Sequence, residues 1–310
     1  MIRQRASLLH VLLPLAVGAA AAAAATDAGG TTPRPPVEQP QVARGRCPRR
    51  GEKPCLFWMH IQKTGTAFGA TMAAVGCPEQ PKQRNVRKWS DACSYALGAG
   101  SHTHSPYIRA RHGVGTAVTL IRSPRARLAS AWFFGLREVG HPMLPLGHPE
   151  KNRSGWAARR RLRRAMPTIQ AYARYPGIAH CQTKMVLGIH CGEAVDVTPD
   201  MSREAIRRLQ EDFRFVGVQD HWRASVQLAL AEFNATSSAE LVKSAQARHQ
   251  YTKRERAAAM ANLTAYEDVY DEALYDAAAA LLRERCAARG ILVEANAHEG
   301  FVSKPILPKG

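Results

Sequence analysis

The chain has 310 residues, enough for one sizeable core or two modest ones, and its 45% apolar content is that of an ordinary globular protein. Its 43 Lys and Arg against 25 Asp and Glu give a net charge of +18, which predicts affinity for polyanions. That charge alone does not separate nucleic acid from an acidic polysaccharide or from an arginine-favouring genome. The sequence carries no RNP-like aromatic motif, no zinc finger and no Cys-x-x-Cys or Cys/His ligand spacing. Neither a nucleic-acid partner nor a metal site is therefore expected.

In chain order, Arg3 and Arg5 precede an apolar stretch from Ala6 to Ala25 broken only by Ser7, His10, Pro14 and Gly18. Residues 1–25 read as a signal anchor or as a cleaved signal peptide, since the Ala-rich tail also offers small-residue cleavage sites. Either reading puts the remainder in the secretory lumen. Residues 26–54, "TDAGGTTPRPPVEQPQVARGRCPRRGEKP", lack apolar periodicity and read as a stem. The folded domain is expected over 55–310.

A first strand is expected in "LFWMH", Leu56 to His60, an apolar run of the length a buried parallel strand takes. The loop Lys63-Thr64-Gly65-Thr66 follows, and Ala70, Met72, Ala73 and Ala74 suit a helix after it. A second strand is expected from Gly115 to Ile121. It leads into "RSPRARLASAWFFGL", where Pro124 marks a helix start and Leu128, Ala129, Trp132 and Phe133 fall at helical spacing. "GWAARRRLRRAM" (155–166) groups Arg159, Arg160, Arg161, Arg163 and Arg164, extended by Lys151 and Arg153. It reads either as a solvated helix face or as the wall of a groove for a polyanionic glycan. A third strand is expected over 213–219, then a helix from about His221 to Glu232. A last helix is expected from Ala265 to Arg289, with Val269, Leu274, Ala277, Leu281 and Leu282 as its apolar stripe. Strands alternating with helices predict an α/β fold with a parallel sheet.

In a lumenal setting Asn152, Asn234 and Asn262 head glycosylation triplets, which are weak signals. The seven cysteines (Cys47, Cys55, Cys77, Cys93, Cys181, Cys191, Cys286) are then free to form disulfides with one left over, and Cys181 with Cys191 is the first pair expected.

Two strand-to-helix turns carry basic and hydroxyl residues, Lys63-Thr64-Gly65-Thr66 and Arg122-Ser123-Pro124 with Ser130. In a parallel sheet both fall at the carboxyl ends of strands, where free helix N–H groups and the helix dipole favour anions. The first turn lacks the earlier glycine of a Walker A loop, which speaks against an ATP or GTP phosphotransferase. These residues by themselves define a nucleotide-like ligand with two separated anionic groups.

The combined pattern resembles the Golgi carbohydrate sulfotransferases, and among them the heparan sulfate 6-O-sulfotransferase-like group. "HIQKTGTAF" resembles that family's 5′-phosphosulfate loop, and "LIRSPRARLASAWF" its 3′-phosphate segment, an Arg followed eight residues later by a Ser. "CQTKMVLG", "FVGVQDHWRASVQLAL" and "YDEALYDAAAALLRER" are weaker echoes in the family's order, so the resemblance covers about 55 to 289. The loop is one residue shorter than the group's Gly-Gly-Thr-Thr-Phe. It matches the length of the cytosolic sulfotransferase loop, with Ala67 in place of a hydroxyl.

The resemblance implies a P-loop-like sulfotransferase fold with a central parallel sheet flanked by helices. It also implies sulfuryl transfer from 3′-phosphoadenosine 5′-phosphosulfate (PAPS), without a metal, to a hydroxyl of an acidic glycan or polysaccharide. The setting it implies is the Golgi, with a single-pass type II anchor if the N-terminus is uncleaved. Lys63 would neutralise the leaving group, and Lys63, Thr64, Gly65, Thr66, Ala67, Phe68, Arg122 and Ser130 would hold the donor. "GSHTHSPY" supplies His104 and His102 as general-base candidates in that order, with His60 as a third. A small-molecule phenol or alcohol sulfotransferase and a non-catalytic polyanion-binding protein are the competing readings.

Overall fold

The computed structural model describes residues 55–65, 68, 69, 72, 96–98, 104–151, 155–234 and 252–293. The chain divides into two units, Met1–Gln39 and Pro40–Gly310, and every described residue belongs to the second. The expected N-terminal anchor or signal peptide and the stem lie outside the described residues. Among the described residues no helix is long and apolar enough to cross a membrane.

The order is β1 (Cys55–Met59), β2 (Ala96–Gly98), α1 (Arg109–His112), β3 (Ala117–Ile121), α2 (Pro124–Glu138), α3 (Trp156–Ala165), α4 (Ile169–Ala173), α5 (Cys181–Leu187), α6 (Pro199–Glu211), β4 (Phe213–Val218), α7 (Trp222–Glu232), α8 (Lys253–Asn262) and α9 (Val269–Ala287). A 3-10 turn, Gln219–His221, joins β4 to α7. The strands form one parallel sheet in the order β2-β1-β3-β4. Parallel strands are covered on both faces, which is why all of β3 and all of β4 except Arg214 are buried. The α/β class with a helix-flanked parallel sheet, expected from the alternation, is the one that forms.

The register sets the site. Met59, the last residue of β1, pairs with Thr119, and β3 runs two residues further to Ile121. Thr119 Oγ1 donates to the Met59 carbonyl at 3.0 Å, locking the two strand ends together. The turns that follow β1 and β3 are thereby neighbours at one edge of the sheet.

Two cores flank α2. One packs the sheet against α5, α6, α7 and α9 through Leu120, Phe215, Val226, Leu274 and Leu282. The other joins α2, α3, α4 and α8 through Leu128, Leu162, Tyr172, Ala259 and Leu263.

Several boundaries differ from the sequence reading. β3 starts at Ala117, because Gly115 turns with φ at 74° and donates its N–H to Asp212. α9 starts at Val269, with Asp268 as its cap. Its buried stripe is Asp271, Leu274, Ala278, Ala279, Leu282 and Cys286, whereas Val269 is 47% exposed. The alanines on both sides of this helix blur the periodicity from which a stripe is read. β2, α1, α4, α5, α6 and α8 add to the expected elements. Cys181 and Cys191 form the expected disulfide, and Cys286 is a buried free thiol. Of the glycosylation triplets, Asn152 lies outside the described residues, while Asn234 and Asn262 are exposed.

Candidate functional site

The loop after β1 is built to hold one backbone path. Ile61 is fully buried, and its carbonyl accepts from Thr64 Oγ1 at 2.9 Å, closing a tight turn around Lys63. Lys63 takes a left-handed φ of 68°, a conformation that costs a non-glycine residue roughly 1–3 kcal/mol. Gly65 has φ +130°, and a Cβ there would stand 2.8 Å from Leu120 Cδ2, so both space and backbone demand glycine. Phe68, Gly69 and Met72 are helical. The Phe68 ring anchors that helix in the core against Trp58, Phe215 and Trp222, and its N–H donates to Gly65 at 2.9 Å. Phe68 therefore serves the loop from beneath. Thr66, Ala67 and His102 lie outside the described residues.

Lys63 and Arg122 come together. Arg122 is 5% exposed, and its guanidinium Nη1 donates to the Lys63 carbonyl at 2.9 Å. The Lys63 ammonium lies 3.9 Å from the centre of the Phe134 ring, a cation–π contact supplied by α2. Burial, and then the Arg122 charge, pull the Lys63 pKa down to about 8, against the opposing attraction of Glu138. The ammonium is thus mostly charged at neutral pH and gains from any anion placed beside it.

The start of α2 completes this edge. Pro124 occupies the first helical turn, and the Ser123 N–H donates to Asp220 Oδ2 at 3.0 Å. That carboxylate uses one N–H that an anion would otherwise find. Ser130, 9% exposed, lies within α2 and about 10 Å of helix axis beyond Ser123, so the helix sets it apart from the Arg122 turn.

His104 and His60 also meet. Their ring centres are 4.4 Å apart, and His104 Nδ1 lies 3.0 Å from the His60 carbonyl oxygen. A carbonyl only accepts, so Nδ1 carries the proton in this contact and the neutral ring keeps its lone pair on Nε2. His104 is half-buried with φ at 44°, whereas His60 is 1% exposed beside Trp58. Of the two, His104 is the more exposed.

Behind the basic turn, polar side chains replace an apolar core. Gln182, in α5, is fully buried; its Oε1 accepts from the Arg122 N–H at 3.0 Å and its Nε2 donates to the Arg122 carbonyl at 2.8 Å. Asp271 accepts from the N–H groups of Gln182 (3.1 Å) and Thr183 (2.8 Å), and from Thr183 Oγ1 (2.9 Å). Asp268 accepts from the His180 N–H at 2.9 Å and from Nδ1 at 2.6 Å. Burial lowers the His180 imidazole pKa, but the Asp268 carboxylate outweighs it and leaves the pKa raised. Phe134, Gln182 and Asp220 are site residues that the sequence reading does not single out. Gln182 and Asp220 lie in "CQTKMVLG" and "FVGVQDHWRASVQLAL", two of the stretches on which the resemblance rests, and Phe134 lies outside all of them.

The arginine run forms α3. Arg159, Arg160, Arg161, Arg163 and Arg164 are exposed, Leu162 alone is buried, and Trp156 is 74% exposed with Arg160 over its ring at 5.1 Å. Arg161 pairs with Glu150 at 2.7 Å. Arg153 lies outside the described residues. Among the described residues no cluster of three or more His, Cys, Asp or Glu could hold a metal ion.

Fold and site thus define a mixed α/β protein with a basic, strained loop at the carboxyl edge of a parallel sheet. Comparisons with family models, with curated proteins and with solved structures return no match to this chain.

Proposed function

We propose that the protein is a PAPS-dependent sulfotransferase of a P-loop-like type, acting on a hydroxyl of a glycan or polysaccharide in the secretory pathway. The observation that carries this reading is the hydrogen bond from the Arg122 guanidinium to the Lys63 backbone carbonyl, which brings the basic residues of two strand-to-helix turns into contact. A donor with a 5′-phosphosulfate and a 3′-phosphate presents two anionic groups to such a pair. The acceptor oxygen attacks sulfur, a new S–O bond forms, and the bond to the 5′-phosphate oxygen breaks. The negative charge that develops on adenosine 3′,5′-bisphosphate is offset by the Lys63 ammonium, as cations offset charge in phosphoryl transfer. The acceptor proton passes to His104 Nε2. Lys63, Thr64, Gly65, Thr66, Ala67 and Phe68 would form the donor loop and Arg122 would face the 3′-phosphate, whereas Ser130, about 10 Å further along α2, stands apart from that turn.

The exposed arginines of α3 favour an acidic glycan as acceptor, and they equally suit a non-catalytic polyanion binder. Incubating the purified protein with radiolabelled PAPS, a glycan panel and a panel of small phenols and alcohols separates the readings. Label on an acidic glycan supports the proposal. Label only on small acceptors favours the small-molecule enzyme, and glycan binding without transfer favours the non-catalytic binder.

A further inference from the structure

The Arg122 peptide unit has an unusual holder. It follows the last residue of β3, beyond the ladder that β3 shares with β1 and β4, yet the residue is buried. Buried N–H and C=O groups need partners, and here both are met by one side chain from 60 residues away. A carboxamide is suited to that task because it offers a donor and an acceptor in one plane. Gln182 is in turn held by Asp271, which binds the N–H groups of Gln182 and Thr183 at the start of α5. A continuous polar chain therefore runs from α9 through Gln182 to the Arg122 backbone, and from the Arg122 guanidinium to the Lys63 carbonyl.

We infer that Gln182 is a positioning residue for the anion site: by clasping the Arg122 peptide on both sides it aims the guanidinium and, through it, the Lys63 loop. This rests on the donor reading proposed above. Gln182 is fully buried, so its effect is to be read through Arg122, whose proposed partner is the 3′-phosphate. The role separates from simple support of the fold by ligand selectivity. A variant that only loosens the protein weakens every nucleotide alike. A variant that misaims Arg122 weakens those with a 3′-phosphate most.

The test compares binding of adenosine 3′,5′-bisphosphate and adenosine 5′-monophosphate by calorimetry, in wild type, Gln182→Leu and Gln182→Glu, with Tm measured for each. Wild type is expected to prefer the 3′-phosphorylated nucleotide. Gln182→Leu, which offers neither hydrogen bond, should lose at least about tenfold of that preference, the scale of one lost charge-assisted contact. Gln182→Glu keeps an acceptor for the Arg122 N–H but turns a carboxylate on its carbonyl. In the buried site the carboxyl pKa rises, and once protonated it again offers both groups. Its selectivity, relative to wild type at the same pH, should recover as pH falls. A folded Gln182→Leu with unchanged selectivity overturns the inference. If Gln182→Leu does not fold, a Gln182→Glu selectivity that equals wild type at every pH overturns it as well. A wild type that shows no preference for the 3′-phosphate overturns the donor reading itself, and the role of Gln182 with it.

Discussion

In the proposed reaction Lys63 is the residue on which the chemistry turns, and its environment sets a pH limit. Burial and the nearby Arg122 lower its pKa to about 8, so the free protein loses this charge as pH rises through that value. Because the folded pKa is depressed, the unfolded chain binds more protons between about 8 and the ordinary value of 10.5, and deprotonating Lys63 stabilises the fold there. Activity should move the opposite way. The kcat/KM for the donor, which reports the free enzyme, should fall above about pH 8 while Tm does not. A flat profile to pH 10 would remove Lys63 from the rate. In the proposed reaction His104 acts on the other reactant. His104→Ala should lower kcat by about 10²- to 10⁴-fold with donor affinity near normal, since the proposed site holds the donor through Lys63 and Arg122. Weakened donor binding in that variant would make His104 a nucleotide contact instead, and an unchanged kcat would pass the role to His102 or His60.

At the scale of elements, the joint between α5 and α9 keeps the second turn in place. Asp268 caps α9 through the Asp271 N–H at 3.1 Å and pairs with His180, whose φ of 57° opens α5. Removing one partner of such a buried pair leaves unmet polar groups. Asp268→Ala should cost about 3 kcal/mol or more in urea unfolding. The pH dependence follows from the two shifts. His180 is raised, so its contribution is complete below its ordinary value of 6.5 and is lost as pH rises through the higher folded value. Asp268 is lowered, so its contribution holds above its ordinary value of 3.8 and is lost as pH falls through the lower folded value. The cost of Asp268→Ala should therefore be largest between about pH 4 and 6.5 and shrink above that range. A loss that is the same at pH 5 and pH 9 would assign the stability to the cap alone.

These elements also show what a sequence can display. β1, β3, β4, α2 and α7 were legible because their apolar runs and the Pro124 start are local signals. β2 has only three residues, too few to form a pattern. α5 buries Gln182, Thr183 and Lys184, so its inner face reads as polar, and the carboxylate that satisfies it lies 88 and 89 residues away. α6 did carry local signals, Thr198 accepting from Met201 and Pro199 in the first turn, but its arginines hid the short stripe of Ala205 and Leu209. That the Lys63 and Arg122 turns lie at the same end of the sheet was legible, since parallel strands carry their following turns there; that β1 and β3 are adjacent, which lets the two residues meet, was not. Phe134 beneath the ammonium was not, because it depends on how α2 rotates against the loop. The separation of Ser130 from the Arg122 turn is likewise a matter of helix length, which a motif spacing does not reveal.

At the scale of the whole molecule, the charge of +18 is partly concentrated on α3. Arg160 and Arg164 follow Trp156 at four-residue steps, a row about 12 Å long. Arg159 and Arg163 run beside it. Replacing Arg159, Arg160, Arg163 and Arg164 by Gln should leave Tm nearly unchanged, because all four are exposed. It should raise KM for an acidic glycan by about tenfold or more and flatten the salt dependence, with donor affinity unaffected. An unchanged KM would make α3 a solvated face without a part in acceptor binding.

The most direct measurement is single-turnover transfer of labelled sulfate from PAPS to a panel of acidic glycans, with wild type and Lys63→Ala side by side. The expected result is label on at least one glycan with wild type, and a rate lower by about 10²- to 10³-fold or more with a folded Lys63→Ala protein. Wild type that neither binds PAPS nor transfers label, or a Lys63→Ala variant that turns over at the wild-type rate, would contradict a sulfuryl-transfer site built on Lys63 and Arg122.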